Sequence, residues 1–329
     1  MLSFGLLVGL LFLGACEKNE NKDFSNYLSG SLDDWSIKRL PEGCIINEYI
    51  GNQTEIVFPT AIDGLNVVGI GFVGGPIFSF YDEEKITSVD LRKMKYLKSI
   101  GNYAFNGLTN LSKLYLTNSI DSIGDYAFIN CSNCEILTDL PVNLKYLGTR
   151  AFSSCPKITE IKIPGSVKNL PEGCFENCKG LSKVTFNEGL ESIDQYCFFL
   201  GENIKELTFP SSLKVIGKGA FDNCISITEI EINEGCETLG DLSFRSCTSL
   251  SKVVLPKSLL KISTHSFSDC DLLTYLELKR DSIPLTTVAS SSFSGTPQVG
   301  LTLTVTYPAN ATYPTEPVWE NLPITWVPK

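Results

Sequence analysis

The chain has 329 residues, with 27 Lys+Arg against 37 Asp+Glu for a formal charge of −10, and 43% of it is hydrophobic against 19% charged. That balance is too apolar for a disordered tail, and its acidity gives no support to a nucleic-acid partner, which needs a basic stripe. One histidine, His265, excludes chemistry that requires several imidazoles.

Residues 2 to 15 (LSFGLLVGLLFLGA) are uncharged and apolar, and Cys16 follows directly. As a helix they reach about 21 Å, short of a hydrocarbon core of about 30 Å. Residues 1 to 15 therefore read as an export signal rather than a membrane span. Leu13, Gly14, Ala15 and Cys16 resemble the bacterial lipobox, which implies that Cys16 carries a lipid and meets the membrane through it. Residues 16 to 30 are polar and aperiodic, as a tether should be. The acidic stretch after Cys16 resembles that of Bacteroides-type lipoproteins, which implies placement on the outer membrane, facing outward. Residues 31 to 79 contain Trp35 and the alternating run CIINEYIGNQTEIVFPTAIDGLNVVGIG, a pattern that predicts hairpins forming an N-terminal β cap.

From there one period organises the chain. Phe105, Phe128, Phe152, Phe175, Phe198, Phe221, Phe244 and Phe267 are 23, 24, 23, 23, 23, 23 and 23 residues apart, and Phe293 closes the series after 26. Residues 80 to 104 form a loosened first copy, with Phe80, Ile86, Val89 and Leu91 at the expected offsets. Cys131, Cys155, Cys178, Cys224, Cys247 and Cys270 stand three residues after their Phe, with Leu108 and Gly201 in the same slot. Pairs such as Leu114/Leu116, Ile161/Ile163 and Val253/Leu255 follow at nine and eleven residues, and Ile123, Leu170, Ile193 and Ile216 at eighteen. So many positions in phase mark a repeat array. The L-x-L core alternates as a short strand does, and Pro141, Pro164, Pro210 and Pro256 end it where a missing N–H does least harm. Little length remains for a helix in each turn. A lone turn would leave half its apolar surface wet, so the turns must stack as a parallel sheet, about 4.8 Å per layer. The prediction is a mainly β solenoid over residues 80 to 293, closed by a C-terminal cap over 294 to 329, where LTLTVTY, Trp319 and Trp326 cover the last edge.

Six cysteines at one repeat position predict a structural ladder of small buried side chains (Cys131, Cys155, Cys178, Cys224, Cys247, Cys270), because a free thiol behaves as a small hydrophobe. Parallel Cβ vectors on adjacent rungs oppose the torsion that a disulfide needs. Cys131 and Cys134 have zinc-ligand spacing, but no second C-x-x-C exists, so no metal is expected. Cys174 and Cys197 fill the slot of Ala151 and Ala220, and His265 shares the turn slot of Tyr103, Tyr126 and Gly173. No nucleophile elbow, zinc helix, P-loop or dinucleotide fingerprint appears, so neither an enzyme nor a cofactor is expected.

AFSSCPKITEIKIPGSVKNL and SFRSCTSLSKVVLPKSLLKI resemble the BspA-type leucine-rich repeats of bacterial surface proteins, over about Phe80 to Phe293. Gly201 and Leu108 at the cysteine position, and Cys134 and Cys236 at aliphatic ones, depart from that pattern. The outward residue of each L-x-L is the central column of the candidate binding face: Tyr115, Lys162, Thr185, Thr208, Glu231, Val254 and Glu277. The flanking column two residues earlier holds Lys113, Glu160, Lys183, Glu206, Glu229, Lys252 and Tyr275. The resemblance implies adhesion, through this face, to host or bacterial proteins. The alternative is a glycan-binding accessory lipoprotein of a polysaccharide uptake system, with a polysaccharide in place of the protein partner. Such sites present aromatic platforms, and on these two columns only Tyr115 and Tyr275 stand out, well separated.

Overall fold

The computed structural model describes residues 34–49, 51–71, 85–136, 139–279, 287–289, 291–295, 303–307 and 324–328. Of Ile136, Leu278, Thr287, Val288 and the last two stretches it describes the backbone alone. Cys16, the export signal, the tether, Phe80 and Trp319 lie outside the described residues.

The chain winds into a mainly β solenoid of about nine turns, and among the described residues it forms no α-helix. Each regular turn contributes three walls. The front wall is the L-x-L strand, as in Lys183–Phe186, which pairs in parallel with Glu160–Ile163 and Glu206–Thr208 one turn to either side. The second wall is a two-residue strand, as in Ser192–Ile193 between Asn169–Leu170 and Val215–Ile216. The third is built from turns. Phe175 N donates to the Cys197 carbonyl at 2.8 Å, and the N–H groups two residues before and after it, on Gly173 and Asn177, donate to Gln195 and Phe199. Those flanking positions take a left-handed backbone in turn after turn: Tyr126 (56°) and Asn130 (61°), Arg150 (52°) and Ser154 (58°), Tyr196 (55°) and Leu200 (60°). Non-glycine residues adopt it rarely. Here it points successive N–H groups along the solenoid axis, so each turn hydrogen-bonds the next.

The phenylalanines fill the axis. Their rings stack from Phe105 to Phe293 with centroids 4.9–5.6 Å apart and planes within 14° of parallel. Each rung thiol donates back to the carbonyl of the preceding phenylalanine: Cys178 Sγ to Phe152 at 3.1 Å, Cys247 Sγ to Phe221 at 3.4 Å. At these six rungs the slot holds a small side chain that also carries a donor, a property that size alone does not reveal.

Parallel winding reaches into the segment expected to form a separate N-terminal cap. Trp35–Leu40 and Gly43–Tyr49 form the predicted antiparallel hairpin. Gly43–Tyr49 then pairs in parallel with Leu65–Ile70, and Glu55–Val57 with Ser88–Asp90, as regular turns do. At the other end Leu303–Tyr307 and Ile324–Pro328 extend the front sheet in parallel.

Both sheets are interrupted at one level, and the front sheet breaks again between Glu206–Thr208 and Glu229–Glu231. The front sheet stops at Glu135–Ile136 and restarts at Glu160–Ile163, and the second stops at Tyr146–Leu147 and restarts at Asn169–Leu170. The front gap follows from register, since Glu160 lies 25 residues after Glu135 instead of 23. The second gap follows from proline. Gly148 N donates to Ile123 and Asp194 N to Leu170, both at 2.8 Å, whereas the residue at that place in the intervening turn is Pro171, which has no N–H. The turn wall and the phenylalanine stack cross this seam, joined by the Ser166 hydroxyl, which donates to the Val142 carbonyl at 3.1 Å.

Candidate functional site

The expected binding columns do lie side by side on the front sheet. Lys162, Thr208 and Glu231 are exposed, Thr185 and Glu277 half-buried. In the flanking column Lys113, Glu160, Lys183, Glu206 and Glu229 are exposed, and Lys252 and Tyr275 half-buried. Neighbouring turns pair their charges: Lys183 with Glu206 at 3.2 Å and Lys252 with Glu229 at 3.1 Å. Pairs as exposed as these contribute little to stability. Tyr275 donates its hydroxyl to Glu277 at 3.1 Å.

Val254 departs from the expectation of an outward, available residue, being 6% exposed. Its strand neighbours are Glu231 and Glu277. Lys279 reaches past the Val254 turn to pair with Glu231 at 2.6 Å. At the opposite end of the face Tyr115 is half-buried beneath Arg92, whose guanidinium lies 4.0 Å above the ring. Arg92 also forks onto Asp90, Nε to Oδ1 at 2.9 Å and an amino group to Oδ2 at 2.6 Å. That fork holds the Asp90 carboxyl below the usual carboxylate range. Sequence periodicity did not single out Arg92, because it sits in the corner after the strand, outside the repeated offsets.

The thiols are sealed. All eleven cysteines from Cys44 to Cys270 are free and buried. Burial pushes Cys44 up to about 11 and Cys236 and Cys270 up to about 12, and Cys155, Cys174, Cys178 and Cys197 well above the ordinary thiol value. The thiolate is the reactive form, so these sulfurs are inert while the solenoid is wound. Dithionitrobenzoate should therefore titrate none of the eleven in the folded protein and all of them in guanidinium chloride. Fast reaction of even one native rung thiol would contradict the packing described here.

His265 is half-buried and held at φ 56°. Its Nδ1 lies 2.8 Å from Ser268 Oγ, while that hydroxyl gives its proton to the Ser291 carbonyl at 3.1 Å. Nδ1 is thus the donor, and the buried serine is an acceptor rather than an activated nucleophile. Among the described residues no group of three or more His, Cys, Asp or Glu side chains is placed to hold a metal ion.

The model of the BspA type leucine rich repeat region matches six copies, over residues 76–199 and 191–321. A solved leucine rich cell surface protein from Faecalibacterium prausnitzii is 20% identical, with 85% of this chain and 88% of that one covered at a TM-score of 0.50. A leucine-rich repeat protein from Bacteroides ovatus is 18% identical, with 91% and 100% covered at 0.45. No curated protein matches the chain. The repeat match spans well over half of the sequence and coincides with the wound turns, so the chain belongs to the BspA-type leucine-rich repeat proteins.

Proposed function

We propose that this is a non-catalytic cell-surface protein that captures a protein partner on its front sheet, anchored to the outer membrane through lipid on Cys16. The observation that supports this reading is the pair of in-register columns on the front sheet. They present Lys113, Lys162, Glu229 and Glu231 to solvent from the front-wall strands of three separate turns. A stacked face of this kind suits an extended macromolecular surface better than a small substrate. The description of the Faecalibacterium protein as a cell surface protein agrees with it. Arg92 flat against Tyr115 adds the aromatic and guanidinium pairing that carries most binding energy in protein interfaces.

The test is biolayer interferometry of the chain over immobilised extracellular-matrix proteins, compared with a variant carrying Tyr115→Ala, Lys162→Glu and Glu231→Lys together. A partner that binds the native face should dissociate at least about tenfold faster from the variant, with an unchanged unfolding midpoint. Equal binding by the two proteins would remove the front sheet from the proposal. For the anchor, metabolic labelling with a fatty acid should mark the full chain and not Cys16→Ala.

A further inference from the structure

The second wall differs chemically from the front. Its outward column carries Ser99, Ser122, Asn169, Ser192 and Thr238, with Val215 and Lys261 in the later turns. One aromatic interrupts it, Tyr146, in the last strand before the seam. Its ring is 52% exposed, and its hydroxyl donates to Asp125 Oδ1, one turn back, at 3.2 Å. The bond to the preceding turn holds the half-exposed ring in place along the wall. Asp125 is itself fixed, because Thr149 N donates to the same oxygen at 2.8 Å. Both bonds land on Oδ1, and the carboxylate stands ordered beside the ring. Beyond Asp125 lie Tyr126 and, one turn before it, Tyr103, with rings stacked at 4.8 Å and 6°. Their left-handed backbones place both side chains at the same point of adjacent turns. Partial burial and the neighbouring Asp125 raise the Tyr146 pKa, which keeps the phenol a donor.

From this arrangement we propose a carbohydrate site on the second wall, with Tyr146 as the stacking platform and Asp125 as the hydroxyl acceptor for one residue of an uncharged polysaccharide. A flat aromatic face matches the apolar face of a pyranose, and a pre-ordered carboxylate accepts from its hydroxyl groups without having to be arranged first. Ser99 and Ser122 on one side and Asn169 and Ser192 on the other let a chain lie along the solenoid axis over short polar side chains. The gap in the sheet next to Tyr146, opened by Pro171, leaves no neighbouring strand paired against that side. This site is separate from the front sheet and does not depend on it.

The experiment is affinity gel electrophoresis of the full chain in gels containing soluble yeast mannan, barley β-glucan or xylan, with dextran sulfate as the charged comparison. At least one neutral polysaccharide should retard the native protein. Tyr146→Ala should weaken that retardation about tenfold or more, and Asp125→Asn should weaken it in part. Tyr115→Ala, on the front sheet, should leave it unchanged, which separates this result from the fate of the protein-binding face. The unfolding midpoint of Tyr146→Ala should stay near that of the native chain, since the side chain is half in solvent. Retardation by none of the neutral polysaccharides, equal retardation of Tyr146→Ala, or retardation by dextran sulfate alone would each overturn the proposal.

Discussion

Phe198→Ala is expected to destabilise the protein by about 3–5 kcal/mol, the usual range for removing a fully buried phenylalanine. The ring has no exposed surface. It stacks on Phe175 at 5.5 Å and on Phe221 at 5.2 Å, and Phe186 meets its edge at 5.9 Å and 76°. Aromatic pairs at such separations contribute beyond their buried area, so the loss belongs at the upper end of the range. In a solenoid each turn holds only its neighbours, and a void at mid-stack weakens two interfaces together. Guanidinium denaturation should therefore show a lower midpoint and also a smaller m-value, as the two halves begin to unfold separately. Phe209→Ala is the matched comparison: its ring, almost as buried, lies beside the axial column, stacking on Phe186 at 5.8 Å and meeting Phe221 edge-on at 5.7 Å, and it should cost less and leave the m-value near native. Equal losses at the two positions would mean that the column does not transmit stability along the axis.

Much of this architecture was legible because stacking turns repetition into structure. A residue that recurs every 23 positions occupies the same place in every layer, so Phe152, Cys155, Ile161 and Leu170 announced their burial in the sequence. What escaped was whatever breaks phase or joins two different offsets. The seam comes from one long turn and one proline whose missing N–H matters only once the second wall is known. Tyr103 and Tyr126 share an offset and looked like turn residues, while Tyr146 belongs to another wall. Only the winding brings its hydroxyl to Asp125. Val254 shows the same limit on the front sheet, where alternation predicted an outward side chain and the valine is 6% exposed, in the turn that the Lys279–Glu231 pair spans. The candidate site was thus readable as a surface, and its chemistry was not.

A second large effect is expected where the repeat carries a charge inside. Asp222 directly follows Phe221, at a slot filled by Ser153, Glu176 and Phe199 in earlier turns. Its side chain has no solvent exposure. The Arg245 guanidinium, one turn on, forks onto it, with Nε to Oδ1 at 3.0 Å and an amino group to Oδ2 at 2.6 Å, and Asn223 adds a donor at 2.9 Å. Burial still outweighs these partners and holds the Asp222 pKa above the usual aspartate value. Arg245→Ala would strand a buried carboxylate with one side-chain donor. Breaking such a pair costs about 3–5 kcal/mol when both members are buried, and about 2–4 here because Arg245 is partly in water. The sign of the pH dependence follows from linkage. Without the arginine the folded pKa of Asp222 rises further above its unfolded value near about 4, so the folded state binds a proton that the unfolded state releases. The deficit of the variant is therefore full at neutral pH and shrinks as pH falls through that raised pKa. Asp222→Leu combined with Arg245→Met should recover most of the loss at every pH, because a packed apolar pair avoids the desolvation altogether. Urea midpoints for the three proteins across the acid range decide the matter. A deficit for Arg245→Ala that stays flat with pH, or that matches the exposed-lysine variant Lys183→Ala, would show that the Asp222 carboxylate is solvated and that the pair is not a buried one.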